Sequence, residues 1–511
     1  MSSVSFLDTL KSHHIPAKQE VSLLKKDASL FEREVCGVIS PTSQEEVYRI
    51  VKLAKEQGVS LYPISGGKNW GYGTALPVAD SAWILDLSGL SRIVHYDADQ
   101  MAITIEPGVT QAMLDRYLMD HGIDAMTPNT GIGAHGNILG NILERGFGVA
   151  PLQDHASSLM SLKACLANGQ EFQSFFRGLP QALDAGYKWG LGPSLEPLFF
   201  QSGLGIVTEA TIKLVKRPKH IELAVLSIDD DHQLRHAIQY GRELNSEFPS
   251  QVQSFKVFDA PQVKKTLGNE SDRLLGIKVA SARICIAVLY SNPVQIRSLR
   301  KSVTRTASRN QLRGLKFFSR AKINRLRKSL TRWPLSVLLK DQARPLESLH
   351  EYMRLAEGHP SSLGLNLLYP DLDNKSLETV NPAHDEKGII WYAPIVPMKP
   401  ELLLKAMTHI SALSEKRGLP KPSMTITCVS EATAAITVPL LFDRQTRDNA
   451  YGLYRELLQL GAQEGFFPYR IPIEFMKDLL QFHPDYWNHV RSLQQALDPK
   501  QTLASGRYNP A

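Results

Sequence analysis

Cysteine is scarce in this chain and poorly spaced for structural work. Cys36, Cys165, Cys285 and Cys428 form no Cys-x-x-Cys pair and no zinc spacing across 511 residues, which excludes a disulfide scaffold and a zinc ribbon and points to reduced thiols. No apolar run reaches the roughly 18 residues of a membrane-spanning helix. The first residues (MSSVSFLDTLKSHHIPAKQE) lack the basic-then-apolar layout of a secretory signal. Internal repeats are missing as well, so a solenoid is excluded. What remains is a cytoplasmic globular chain of ordinary composition, 43% hydrophobic and 21% charged, with room for two to four domains.

Acidic residues are absent from one long stretch. Residues 297–332 hold thirteen Lys or Arg and no Asp or Glu, which more than accounts for the net charge of +7. Within 321–340, Lys322, Arg325, Arg327, Lys328 and Arg332 alternate with Ile323, Leu326, Leu330, Trp333, Leu335 and Leu338. Such a basic amphipathic segment suits an anionic membrane surface or an acidic electron-transfer protein. An ordinary solvated helix is equally consistent with it. No nucleic-acid module accompanies the charge, so nucleic acid is not expected.

Glycine, by contrast, is concentrated. Ile64-Ser65-Gly66-Gly67-Lys68-Asn69-Trp70-Gly71-Tyr72-Gly73 follows an apolar run at 59–63, and so dense a loop lets several main-chain N–H groups converge on one anion, normally a phosphate. A surface hairpin would tolerate the same glycines. A second passage, 128–141, contains Gly131, Gly133 and Gly136 in G-x-G-x-x-G spacing. Residues 124–128 make a poor strand, so a Rossmann dinucleotide fold is rejected. Between and around these loops, Ser43 opens a helix with a capping box and Gly58 closes it. Strands are expected at 59–64, 82–87, 92–96 and 102–106. Thr110 caps a helix with Met113, Leu114, Tyr117 and Leu118 on one face. A hairpin turns at Asn168-Gly169, and a strand runs from Gly205 toward 214. Lys216-Arg217-Pro218 marks a boundary. From 221 to 465 longer strands alternate with helices, and glycine returns at Ser505-Gly506-Arg507.

On these two loops, with Glu144-Arg145-Gly146, residues 151–155 and Gly205-Ile206-Val207, the chain resembles the vanillyl-alcohol oxidase / p-cresol methylhydroxylase (PCMH-type) family of FAD-binding flavoproteins, strongly over 36–218 and moderately over 386–511. The resemblance implies an α+β fold with a PCMH-type FAD-binding domain of two α/β subdomains at 1–220 (core 31–218). An α+β cap over the flavin follows at 221–465, and 466–511 returns to the FAD domain. It implies FAD bound by Ser65, Gly66, Gly67, Lys68 and Asn69 around the pyrophosphate and by Thr130, Gly131, Gly133, Gly136, Asn137, Gly140 and Asn141 beneath it. Glu144, Gly205, Ile206, Val207 and Arg507 complete the implied cofactor set; no metal is implied.

Within that family the chain is most similar to the branch acting on 4-alkylphenols, whose phenol-binding tyrosine and Tyr-Arg pair match Tyr72 and Tyr469-Arg470. The resemblance implies hydride transfer from the benzylic carbon of a para-substituted phenol to flavin N5 through a quinone methide. On the residues alone, Tyr72 is equally a stacking residue and Tyr469-Arg470 an ordinary strand pair. The chain departs from the pattern in four places. Asn129 stands where an acidic residue is usual, so its catalytic position loses a base. Val149 replaces a tyrosine, while Ile389 and Lys68 replace the histidines that tether FAD in some members. Noncovalent FAD is therefore expected, with His384 the alternative attachment point, and Trp391 and Tyr392 are expected near the pocket. These departures keep two other readings open: oxidation of a hydroxy acid, polyol or lactone, and a catalytically altered flavin-binding protein. The expected partner is a small aromatic substrate. An electron-acceptor protein or anionic membrane surface at 297–332 and a homo-oligomer are left open.

Overall fold

In the computed structural model the described residues are 3–19, 26–149, 153–179, 185–260, 263, 283–330, 343–372, 374–377 and 379–509. Pro151, Leu152, Arg332, Trp333, Leu335 and Leu338, named above, lie outside them. Two sheets and the two-stranded pair Ala125–Met126 with Val215–Lys216 lie within the first 220 residues. Val35–Ile39, Ala82–Asp86 and Leu61–Ile64 run parallel, with Ala17–Lys18 antiparallel at the edge. The second sheet is antiparallel, in the order Ile93–Asp97, Ala102–Ile105, Gly205–Lys213, Leu159–Leu166, Glu171–Gln173.

Local signals account for much of this. Ser43 Oγ accepts from Glu46 N at the start of helix Gln44–Gln57, and Gly58 ends it at φ +67°; a cap of this kind is worth about 1 kcal/mol. Thr110 caps Gln111–Asp120 in the same way. Its buried face is Gln111, Leu114 and Leu118, whereas Met113, expected inside, is exposed. The strand ahead of the second glycine loop is only Ala125–Met126, in keeping with the rejection of a Rossmann unit.

A nine-stranded sheet, the cap sheet, is built by strands between residues 220 and 468. Its order is Lys316–Ser319, His220–Ile228, Arg283–Ser291, Val252–Phe258, Thr425–Cys428, Thr433–Phe442, Pro394–Pro397, Phe467–Pro468, with Gly388–Tyr392 also on Thr433–Phe442. Strand alternation splits its two faces. Ala224, Leu226, Phe255, Val257, Cys285 and Ala287 pack in one core with residues of Asp231–Glu247, Ile296–Arg309, Pro400–Lys416 and Arg447–Glu464. Leu223, Val225, Ile284, Ile286 and Val288 face the other way, toward Leu346, Leu349, Tyr352 and Met353 of Ala343–Ala356. That second face looks at the glycine loops.

The basic segment is less of a free surface than its composition suggests. Arg300 pairs with Glu222, Arg309 with Glu243 and Glu247, Arg320 with Glu357, and Arg327 with Glu347. In Arg320–Leu330, Ile323 is buried in the cap core, with Leu326 and Leu330 against it. Among the described residues no helix is long and apolar enough to cross a membrane. The four cysteines are free.

A buried acid pair fastens the chain's beginning to its end. The Ser29 hydroxyl lies between the carboxylates of Asp27 and Glu474, Thr74 of the first loop bonds Asp27, and Tyr451 donates to Ser29 O at 3.1 Å. Burial, then mutual repulsion, holds Glu474 above its ordinary 4.5, and burial likewise raises Asp27 above 3.8. The folded state therefore binds a proton more tightly than the unfolded chain. The stability this contributes is complete below the ordinary carboxylate range and is lost as pH rises through the raised value. Glu474→Gln removes that linkage. Its thermal midpoint is expected to fall less than the wild type's between about pH 5 and about pH 9; parallel pH profiles for the two proteins would show that no proton is shared.

Candidate active site

The two glycine loops interlock. A Cβ on Gly66 would sit 2.1 Å from Asn137 Oδ1, and one on Gly140 would sit 2.4 Å from Ser65 Oγ. Asn137 in turn donates to Gly108 O at 3.0 Å. Among the described residues, no main-chain acceptor is recorded for the N–H groups of Ser65, Gly66, Gly67 and Lys68. These four residues are half-buried, and main-chain N–H groups converging at a glycine-dense turn suit an anion such as a phosphate.

Those groups open on a trough of about 190 Å³ bounded by Ser65, Gly67, Lys68, Asn69, Asn137, Gly140, Asn141, Glu144, Gly205, Ile206, Val207 and Arg507. It adjoins a second cavity of about 360 Å³ beneath the cap sheet. Lys68, Asn69, Ile132, Asn141 and Arg470 line both. Thr130 and Gly131 belong to the larger cavity. Gly133 and Gly136 line neither and shape the loop instead: Gly133 (φ +98°) donates to Ser361 O at 3.0 Å, and Gly136 donates to Gly133 O.

Tyr72, Tyr469 and Arg470 come together on the wall of the larger cavity. The Arg470 guanidinium lies 4.1 Å from the centre of the Tyr72 ring, and Tyr469 hydrogen-bonds with both. Phe147 meets the Tyr469 ring edge-on at 4.9 Å. Burial pushes both phenols above 10, so at neutral pH they are neutral O–H donors. Burial is the largest single effect on Arg470 and opposes its charge, but Glu144 together with Tyr72, Tyr469 and Tyr508 keeps it above its ordinary value. Arg470 donates to Asn69 Oδ1 at 2.5 Å and lies 3.6 Å from Glu144. Glu144 also takes Arg507, which reaches Tyr62. Arg470 Nε and Trp70 Nε1, both on residues of the larger cavity, are buried without a partner. Unpaired donors, a cationic junction and an unfilled loop of N–H groups together fit an anionic dinucleotide whose ring reaches the junction.

Three of the residues named from the sequence stand apart from both cavities. Asn129 is buried but lines neither cavity: its amide donates to Gly358 O and accepts from Thr127 at 3.0 Å, which anchors the second loop to the cap. His384 is exposed and lines neither cavity. Val149, Ile389 and Trp391 do line the larger cavity, but Tyr392 points the opposite way and donates to Leu457 O at 3.0 Å. Strand alternation explains that pair. Among the described residues the one cluster with metal-like spacing, Glu347, His350 and Glu351, is occupied by Arg327, Arg354 and Ser361. Lys256, on the cap sheet and facing the larger cavity, was not singled out from the sequence. The only signal was a lysine inside the apolar strand Val252–Phe258.

A family model described as an FAD binding domain matches residues 36–173. The 1'-carboxy-chondrochloren decarboxylase of Chondromyces crocatus is 28% identical over 99% of this chain and 96% of its own. The flavoprotein subunit of 4-cresol dehydrogenase [hydroxylating] from Pseudomonas putida is 24% identical over 92% and 87%. The structure of 4-ethylphenol oxidase from Gulosibacter chungangensis in complex with isoeugenol superposes with TM-score 0.85 at 21% identity, over 99% of this chain and 96% of that one.

The loop contact gives a direct test. Gly66→Ala drives a methyl group into Asn137 and is expected to weaken FAD binding by about tenfold or more, roughly 1.4 kcal/mol. Flavin absorbance retained after desalting measures it, with circular dichroism as the folding control; unchanged occupancy would separate the loop contact from cofactor binding. On the matched FAD binding domain and these relatives, the chain is an FAD-dependent oxidoreductase, and its fold is similar to that of p-cresol methylhydroxylase, with which it superposes at TM-score 0.83 and 20% identity over 99% of this chain and 96% of that one.

Proposed function

We propose that the chain oxidises a para-substituted phenol at its benzylic carbon. The observation that carries this reading is the convergence of Tyr72, Tyr469 and Arg470 on one point of the larger cavity. A free phenol has a pKa near 10 and is mostly protonated at neutral pH. Two neutral O–H donors and a guanidinium around its oxygen favour the phenolate; an adjacent opposite charge alone lowers such a pKa by about 1–3 units. The phenolate directs electron density to the para position and makes the benzylic C–H a hydride donor. FAD, when bound, supplies the hydride acceptor. Ser65, Gly66, Gly67, Lys68 and Asn69 would hold its pyrophosphate, and Gly140, Asn141, Gly205 and Ile206 would line its path to the junction. The substrate is left as a quinone methide, to which water adds. Asn129 takes no part, since it is neither a base nor in the cavity.

The cavity wall is mainly aliphatic and aromatic, which favours an aromatic substrate over a polyol. The decarboxylase named above is compatible with the same first step. A quinone methide beside a carboxylate accepts the electron pair released as the C–C bond breaks and CO₂ departs, restoring the phenolate. With His384 on the surface and Lys68 and Ile389 at the other two positions, FAD is held noncovalently. Exposed Arg297, Lys301 and Arg305 follow one face of their helix and form the surface an acidic electron-acceptor protein would meet.

Arg470→Met is expected to lower kcat with 4-ethylphenol by about 10²–10³, the usual effect of losing a buried charge-stabilising donor. Tyr469→Phe should cost about tenfold. Flavin occupancy is measured alongside, and normal turnover in both variants would remove the phenolate site. Acid precipitation of the holoprotein should leave the yellow chromophore in solution; a yellow pellet would reveal a covalent bond.

A further inference from the structure

Among the described residues, the larger cavity is lined by Lys68, Lys256 and Arg470 and by no Asp or Glu. Arg470 has Glu144, and Lys68 stands at the pyrophosphate loop. Lys256 has neither kind of neighbour. It sits on the strand Val252–Phe258, near the middle of the nine-stranded sheet, paired in register with Ile286 on one side and Thr427 on the other. Ile286, Thr427 and the next inward residue, Phe258, line the cavity with it.

A lysine here is costly. Taking an ammonium from water into an apolar wall without a partner disfavours its charge. Burial alone lowers the Lys256 amine to about 8, with no opposite charge acting on it. Its positive charge is felt at His155, which bonds Asn141 of the second loop. The amine therefore lies within electrostatic reach of the junction where the two cavities meet. A strand position that would serve the fold as valine or isoleucine instead presents a charge to the cavity.

We infer that Lys256 binds the carboxylate of an anionic substrate whose phenol oxygen is held by Tyr72, Tyr469 and Arg470. This rests on the phenol reading above and names the substrate class: a 4-hydroxyphenyl compound with a carboxylate on its para side chain. One ammonium flanked by the Thr427 hydroxyl matches the charge and hydrogen-bonding capacity of one carboxylate. The substrate then spans the cavity, phenolate at one end and carboxylate at the cap.

The test is titration of the holoprotein by flavin absorbance with 3-(4-hydroxyphenyl)propanoate and with 4-propylphenol, which lacks only the acid group. The wild type is expected to bind the acid at least about tenfold more tightly. Lys256→Met should abolish that preference, with 4-propylphenol still perturbing the flavin as the control for an intact site; Lys256→Arg should retain the preference in part. Equal affinity for the two ligands in the wild type, or a preference that survives in Lys256→Met, overturns the carboxylate assignment while the phenol site stands. If neither ligand perturbs the flavin, both readings fall.

Discussion

Glu144 is the residue on which the geometry of the site depends. It ends the short helix that follows the second glycine loop and receives Arg507 from the C-terminal segment and, at a longer distance, Arg470. Burial acts first to raise its pKa, yet the two arginines more than offset this and hold the carboxyl below its ordinary 4.5. The charge is therefore fixed. Removing one partner from a buried ion pair typically costs about 3–5 kcal/mol, because the remaining charge is stranded. Here one carboxylate aims two guanidiniums: Arg507 toward Tyr62 at the trough and Arg470 toward Tyr72 and Asn69 at the cavity. The C-terminal segment cannot detach without disordering both ends of the cofactor path.

The cap sheet solves a related problem by alternation. One face packs against four helices; the other is apolar and roofs the larger cavity. Because successive side chains point to opposite faces, Trp391 reaches the cavity while Tyr392 enters the core. The second glycine loop closes the arrangement from below: Gly364 donates to Gly131 O, and Gly133 donates to Ser361 O. Asn129 belongs to this fastening, which explains why an amide can stand at its position without loss to the fold.

Local chemistry was legible in the sequence, and long-range chemistry was less so. The cap of Gln44–Gln57, the hairpin at Asn168-Gly169 and both glycine loops depend on neighbouring residues and could be read directly. The trio of Tyr72, Tyr469 and Arg470 could be read only through resemblance, since nothing in spacing brings residue 72 to residue 470. Met113 misled because an apolar residue on a helix does not reveal which face meets a core. The basic stretch was only partly legible, for a different reason. Its partners Glu222, Glu243, Glu247, Glu347 and Glu357 all lie outside it, so composition counted cations without their neutralising acids. Lys256 was hidden because strand periodicity gives two faces but does not say which one borders a cavity.

Charge ties recognition to reactivity in this cavity. Tyr72 and Tyr469 are kept neutral by burial, and among the described residues no carboxylate lines the wall. An anion from the cofactor or the substrate meets cations there. Without one, positive charge stands against apolar surface with little water to screen it, an unfavourable state that an entering anion relieves. A phenol gains from that relief only by ionising. The interaction that binds the substrate is therefore the one that converts it to the electron-rich form able to give up hydride, and the energy of recognition appears as a lowered phenol pKa.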